Sequence, residues 1–231
     1  MTMDAQKRLL LWDIDATLIT TGGAGDKALK RVIAQRYRVQ DDLHDIEIAG
    51  RTDTGIARSI LQKYDVEPTP SNVAVFLDEY VGHLSELLSQ VKGHVLPGVA
   101  EILKRMHTRP DRVLALLTGN LRRGAKLKLQ HYGLWDYFEF GAFADDHHDR
   151  NELGAFACAR AKEKHREDFV GASIDVIGDT GHDIACGKIF GSRTIAVATG
   201  SWPRERLATH KPDFLFDDLS GIDEVIATLG W

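Results

Sequence analysis

The sequence predicts an α/β fold, a parallel sheet layered with helices, with a small helical domain inserted after the first strand. Three observations predict it. Compact apolar runs at Leu9–Trp12, Arg112–Leu117, Ile174–Ile177 and Thr194–Ala198 run into polar or glycine-bearing turns, as buried strands do. The later runs alternate with stretches of helical spacing, the signature of βαβ units and a parallel sheet. From about Ala24 to about Val91 the apolar spacing is helical, with no good strand between the helices.

In chain order, Leu9–Trp12 is the first strand. Ala24–Tyr37, Thr54–Tyr64 and Ser71–Ser89 are three helices, with Asp53 and Ser71 as N-caps of the second and third. Gly22, Gly23 and Gly25 on one side and Lys92–Gly98 on the other suit hinges. These hinges place the sheet domain at residues 1–20 and 94–231 and the helical insert at 21–93. Arg112–Leu117 is a strand bounded by Thr118-Gly119-Asn120, and Leu121–Tyr132 a basic amphipathic helix stopped by Gly133. Tyr137–Phe143 suits a strand and Glu152–His165 a helix. The last two apolar runs are strands that end at Gly178-Asp179 and Thr199-Gly200.

Bulk properties exclude several classes of function. The 231 residues suffice for one large core, or one core with a smaller satellite. A formal charge of −5 provides no overall positive field to draw the protein to nucleic acid or anionic membrane. Neither is an expected partner, and an anionic ligand must be held locally. The opening MTMDAQKRLLLW lacks the apolar stretch of a signal peptide, and no run approaches membrane-spanning length. The two cysteines, Cys158 and Cys186, form no C-x-x-C, so a reduced, cytoplasmic compartment is expected. Composition leaves the oligomeric state open.

The chemistry is concentrated at the ends of the apolar runs. Asp13 and Asp15 flank Ile14, and alternate residues of an extended segment share a face. Two carboxylates so close repel, and burial adds a desolvation cost. In an open parallel sheet, ligands bind at the carboxyl ends of strands. Three strands deliver polar groups there: Asp13/Asp15/Thr17, Thr118/Gly119/Asn120 and Asp179/Thr180/Asp183. Taken singly, each is acceptable cap or turn chemistry. That reading has to hold three times at one sheet edge.

Together, Asp13-x-Asp15-x-Thr17, Leu116-Leu117-Thr118-Gly119-Asn120 and Gly178-Asp179-Thr180-Gly181-His182-Asp183 resemble the ordered motifs of the haloacid dehalogenase superfamily. The match is nearest its phosphoglycolate phosphatase-like branch. The resemblance spans nearly the whole chain, and the helical insert lies where that branch carries its cap. It implies a Rossmann-like core with an inserted α-helical cap domain. Ala16 departs from the pattern, which usually has glycine there.

The resemblance implies that Asp13 is the nucleophile, forming an aspartyl-phosphate, and that Asp15 is the general acid and then the base. Adjacent carboxylates whose proton affinities are pushed apart suit that division. A divalent cation relieves their repulsion, and the hard oxygen ligands of the pattern suit Mg²⁺. Its implied ligands are Asp13, the backbone carbonyl of Asp15, Asp179, and Asp183 directly or through water. Thr17 orders the first loop beside the substrate. Thr118, with the amides around Gly119 and Asn120, would hold phosphoryl oxygens at a helix N-terminus.

The pattern also asks for a lysine before the Gly-Asp motif. Arg150 takes that place in this sequence, since Lys162 and Lys164 fall further along the helix. The competing fate of Arg150 is a surface pair with Asp149 or Glu152. Within Gly50-Arg51-Thr52-Asp53, where the cap loop meets the site, Arg51 either contacts substrate or forms a structural salt bridge. His147-His148-Asp149 has no third ligand at sensible spacing and suits a polar loop. The glycines at 22–25 lack the Lys-Ser/Thr of a P-loop.

The expected function is therefore Mg²⁺-dependent hydrolysis of a small phosphomonoester. The alternatives are a phosphosugar mutase with the same aspartate pair, a haloacid dehalogenase, which needs neither metal nor an acid at Asp15, and a non-catalytic phospho-ligand sensor.

Overall fold

The computed structural model describes residues 7–231. In chain order it contains β1 (Arg8–Trp12), β2 (Ile19–Thr20), α1 (Ala24–Tyr37), α2 (Asp53–Lys63), α3 (Pro70–Leu88) and β3 (His94–Val95). There follow α4 (Val99–His107), β4 (Arg112–Leu117), α5 (Arg122–His131), β5 (Gly141–Ala142), α6 (Leu153–His165) and β6 (Ile174–Gly178). The chain ends with α7 (Gly181–Ile189), β7 (Arg193–Val197), α8 (Arg204–Thr209), β8 (Phe214–Phe216) and α9 (Ile222–Leu229). Six strands form one sheet in the order β5-β4-β1-β6-β7-β8, every neighbouring pair parallel.

β1 is central because both of its faces are apolar. Leu11 pairs with Ala115 on one side and with Val176 on the other. Leu9 and Leu11 pack with Val113, Ala115, Val176 and the small residues of α6. Leu10 and Trp12 pack on the opposite face with α4, α5 and α9 residues. A strand buried on both faces is a continuous apolar run with no alternation. Each of these side chains is fully buried, worth about 1.5–3 kcal/mol, and shortening one to alanine would cost about 2–5 kcal/mol. The chain fills the sheet outward from β1 through β4 to β5, then crosses to β6 on the other side of β1. That reversal opens a crevice at the carboxyl ends of β1, β4 and β6, where such folds bind ligands.

Helices α1, α2 and α3 build a second apolar cluster around Leu29, Ile33, Ile60, Phe76 and Leu84, joined by Leu121 and Ala144 from the sheet domain. β2 and β3 pair antiparallel, Ile19 with Val95 and Thr20 with His94, where the chain leaves and re-enters the sheet domain.

Several local expectations are corrected. Thr52, rather than Asp53, caps α2, its hydroxyl accepting the Gly55 N–H at 3.0 Å. Thr69, rather than Ser71, caps α3, because Pro70 is preorganised for the first helical position and moves the start forward. The strand expected over Tyr137–Phe143 is only Gly141–Ala142. Trp135–Tyr137 instead form a 3₁₀ turn, since Trp135, Tyr137 and Phe138 turn onto the core. β2, β3, α4, α7, α8, β8 and α9 have no counterpart in the sequence reading.

Candidate active site

The crevice is lined by groups from several chain segments. After β1, the Asp13 N–H bonds to the Ile177 carbonyl at 3.0 Å, which sets the aspartate at the end of the sheet. A tight loop follows, with Leu18 N–H on Ile14 O at 2.9 Å. Ala16 sits in this loop with φ of 58°, the left-handed region that favours glycine. This is why the motif usually has glycine there, and alanine costs roughly 1–2 kcal/mol in that conformation. Gly200 lies across from it, and a Cβ there would fall 1.7 Å from Asp179 Oδ2.

Asp13, Asp179 and Asp183 are buried together, with carboxylate oxygens within 4.8 Å of one another. Arg150 faces them. It lies in a short turn before α6, which Asp149 caps by accepting the Asn151 N–H at 3.0 Å. The Arg150 guanidinium is 3.1 Å from Asp13 Oδ1 and also binds Asp183 Oδ1. It further donates to the Gly50 carbonyl at 3.3 Å. Arg150 is thus a buried partner of the aspartates and pairs with neither Asp149 nor Glu152. Asp183, in the first turn of α7, also accepts from the Thr180 N–H at 3.0 Å and hydroxyl at 2.7 Å. Thr17 donates its hydroxyl to Asp179 at 3.4 Å.

The electrostatics of this cluster are unbalanced, three buried carboxylates against one guanidinium. Burial pushes the Asp13 carboxyl up to about 6, with Arg150 opposing and Asp183 and Asp15 adding to the rise. Burial, then Asp183 and Asp13, hold Asp179 well above the usual carboxylate range. The donors are hard oxygens with excess negative charge, which fits a small divalent cation. Asp15 adds no carboxylate oxygen to this set.

Asp15 instead turns away from Asp13. Its Oδ2 accepts from Lys128 Nζ at 2.6 Å and from Asn120 Nδ2 at 2.8 Å. Lys128, in α5, is buried and also donates to Asn120 Oδ1 at 2.6 Å. It is the site residue that sequence reasoning missed. Its signal was present: Gly124, Ala125, Lys128 and Leu129 form the buried face of α5, so a lysine stood on the apolar stripe of a helix read as merely basic and amphipathic.

The Thr118-Gly119-Asn120 turn is placed at the end of β4, with Thr118 and Asn120 buried. The helix N-terminus behind it is already capped. Asp53 accepts the Leu121 N–H at 2.8 Å and Asp145 the Arg122 N–H at 2.6 Å. An anion here would meet the turn and Thr118 Oγ1, while the Leu121 and Arg122 amides at the start of α5 are taken. Gly119 is required by close approach: a Cβ would lie 2.1 Å from the Arg51 carbonyl, because the 50–54 loop of the insert is seated on this turn. The Asp53 N–H bonds to Gly119 O at 2.7 Å, and the Thr54 hydroxyl to Ala144 O at 2.8 Å. The Arg51 side chain is half exposed and pairs with Glu47, Nε to Oε2 at 2.7 Å. It borders the cavity with the salt-bridge alternative satisfied. His147 and His148 stay in an exposed to half-buried loop, as a polar loop requires.

Between the two apolar clusters lies a cavity of about 290 Å³. Asp13, Asp15, Asn120, Lys128, Arg150 and Asp179 form its floor, and Asp26, Leu29, Ile48, Arg51, Asp53, Ile56 and Tyr80 are among the insert residues that line the rest.

The sequence profile of the haloacid dehalogenase-like hydrolases matches residues 10–197. The chain belongs to this family. Among its relatives, the phosphoglycolate phosphatase of Vibrio vulnificus is 25% identical over 95% of this chain and 96% of its own length. The probable phosphatase IndB of Dickeya dadantii is 26% identical, over 94% of this chain and 92% of its own. A hydrolase from Pseudomonas syringae superimposes with a TM-score of 0.75 at 15% identity, covering 96% and 99% of the two chains. CbbY from Rhodobacter sphaeroides, solved in complex with phosphate, gives 0.72 at 17% identity, covering 93% and 96%. At those identities the solved structures establish the shared fold: this hydrolase has the α/β Rossmann-like core of its family. Among the described residues no helix is long and apolar enough to cross a membrane.

Proposed function

We propose that this hydrolase is a Mg²⁺-dependent phosphatase that cleaves a small phosphomonoester through an aspartyl-phosphate. The observation that carries the proposal is the division of the two same-face aspartates. Asp13 lies among the buried carboxylates against Arg150, while Asp15 lies against Lys128 and Asn120. One carboxylate is therefore set for attack and the other for proton transfer.

In the first step an Asp13 oxygen forms a bond to phosphorus, the bond from phosphorus to the leaving oxygen breaks, and Asp15 gives that oxygen its proton. In the second step water attacks phosphorus, Asp15 takes the water proton, and the bond from Asp13 to phosphorus breaks. Arg150 and Thr118 hold phosphoryl oxygens. Asp13, Asp179, Asp183 and the Asp15 carbonyl would hold the Mg²⁺, which when bound supplies positive charge to offset that gathering on the phosphoryl group.

The cavity favours a compact leaving group without a negative tail. Its insert wall includes the apolar Leu29, Ile48 and Ile56, with Tyr80 and the acidic Asp26 and Asp53, and Arg51, which also borders it, would have to leave Glu47 to meet a carboxylate. The names of the relatives span phosphoglycolate phosphatase and the pyrophosphatase PpaX of Anoxybacillus flavithermus, so names alone do not choose among substrates. A cytoplasmic setting accompanies the proposal, in keeping with two free thiols, Cys158 and Cys186.

The test is released phosphate from a panel of sugar, polyol, glycolate and nucleotide phosphates, with and without Mg²⁺, for wild type and Asp13→Asn. Wild type should release phosphate only with metal, and folded Asp13→Asn none, because an amide cannot act as the nucleophile. Near-normal hydrolysis by folded Asp13→Asn would remove the covalent mechanism.

A further inference from the structure

We propose that Lys128 is the positioning residue for the acid–base carboxylate, Asp15, directly and through Asn120. The inference rests on the phosphatase reading above and assigns a role to a residue outside the family's motifs. Lys128 stands on the buried face of α5 beside Ala125 and Leu129, where an apolar side chain would pack as well. A buried ammonium is retained only when it is paired and hydrogen-bonded, and both partners of this one belong to the catalytic floor. Nζ reaches Asp15 Oδ2 and Asn120 Oδ1, each at 2.6 Å.

The chemistry of the donors then fixes the rest. An ammonium only donates, so the Asn120 oxygen must face Lys128 and its amide nitrogen must face the other way. That nitrogen donates to Asp15 Oδ2 at 2.8 Å and to Thr118 Oγ1 at 2.9 Å. One consequence follows. Both donors to Asp15 fall on Oδ2, and no described residue donates to Oδ1, which is left as the oxygen that exchanges a proton. Without Lys128 the amide can turn over and Asp15 loses its anchor. Proton delivery to the leaving group should suffer most.

The experiment compares kcat/KM for an alkyl phosphate and an aryl phosphate in wild type, Lys128→Met, Lys128→Arg and Asp15→Asn, with thermal melts on each. This ratio covers only the steps up to departure of the leaving group. An alkoxide needs a proton to leave and a stabilised phenolate does not. General acid catalysis of this kind contributes on the order of 10²–10⁴-fold. Lys128→Met is expected to lose about 10²-fold or more with the alkyl ester and less than about 10-fold with the aryl ester. Asp15→Asn should show the same split, and Lys128→Arg should recover part of the alkyl activity. Adding Lys128→Met to Asp15→Asn should cost nothing further with the aryl ester, since residues that act as one unit are not additive.

Equal losses with both esters, or additive losses in the double variant, would overturn the positioning role while leaving the phosphatase reading intact. If Lys128→Met does not fold, Lys128→Gln is read against the same split. A wild type inactive toward every phosphomonoester overturns the phosphatase reading and this role with it.

Discussion

The carboxylate of Asp53, in the first turn of α2, accepts the backbone N–H of Leu121 at 2.8 Å, so a residue of the helical insert caps a helix of the sheet domain. Burial pushes this carboxyl up to about 6, with Lys128 and the Leu121 N–H opposing. The folded state therefore holds the proton more tightly than the unfolded chain, where the value is about 3.9. Stability from this group is complete below about pH 4 and is lost as pH rises through about 6. Its share is about 2 kcal/mol at most, because the carboxylate is only half-buried and solvent screens it. Asp53→Asn keeps an acceptor for Leu121 and cannot ionise. Urea unfolding at pH 4.5 and 7 should show a smaller fall in stability for Asp53→Asn than for wild type. Equal falls would mean that Asp53 does not titrate in this range.

Arg150 is the one guanidinium against Asp13 and Asp183. Burial works against its charge, but Asp183 and Asp13 outweigh that and hold it protonated. Arg150→Ala should raise the activation barrier by about 2–4 kcal/mol toward every substrate, the loss of one preorganised charge-stabilising group. Arg150→Lys should recover part of it, without the forked geometry. The check is kcat for two esters differing only in leaving group. An unchanged kcat in Arg150→Ala would transfer the role to Arg51, whose truncation is otherwise expected to leave kcat alone because its side chain pairs with Glu47.

Metal dependence should appear in both stability and rate. Mg²⁺ should raise the melting temperature, since it binds the folded carboxylate cluster and not the unfolded chain. Chelation should stop turnover reversibly. Ca²⁺ should restore it poorly, because its larger and looser coordination shell misplaces the nucleophile. Asp179→Asn should melt higher than wild type without metal, as it removes a buried carboxylate held among Asp13 and Asp183, and should lose the Mg²⁺ shift. Full activity in excess chelator, with no shift on adding Mg²⁺, would revive the dehalogenase alternative.

Asp175 tests stability apart from chemistry. It is fully buried in β6 and accepts from Arg193 Nε at 2.6 Å, Arg8 at 3.0 Å and Trp231 Nε1 at 2.6 Å. These bonds join two strand starts to the end of the chain, at the sheet edge away from the cavity. Asp175→Asn breaks the buried charge pairing and should cost about 3–5 kcal/mol of stability. Specific activity per folded molecule should be unchanged, and a fall in kcat at a temperature where the variant is folded would contradict this separation.

The sequence by itself determined four of the six sheet strands, β1, β4, β6 and β7, the position of the helical insert and the motif ends. These follow from local patterns: apolar runs flanked by turn residues, and polar groups immediately after strands that must share an edge once the strands are parallel. Ala16 was legible as a departure from the motif, and its φ of 58° shows what that departure means for the backbone. Partnerships between distant residues were not legible. Arg150 meets Asp13 across 137 positions, and Lys128 meets Asp15 across 113. Asp53, suited by local rules to cap its own helix, caps α5 because Thr52 takes that place and the insert is seated on the sheet domain. Charge and hydrogen-bond partners are chosen by burial, and burial depends on how the elements pack. Tertiary structure alone therefore decided which cation each aspartate faces, and with it how the pair divides its work.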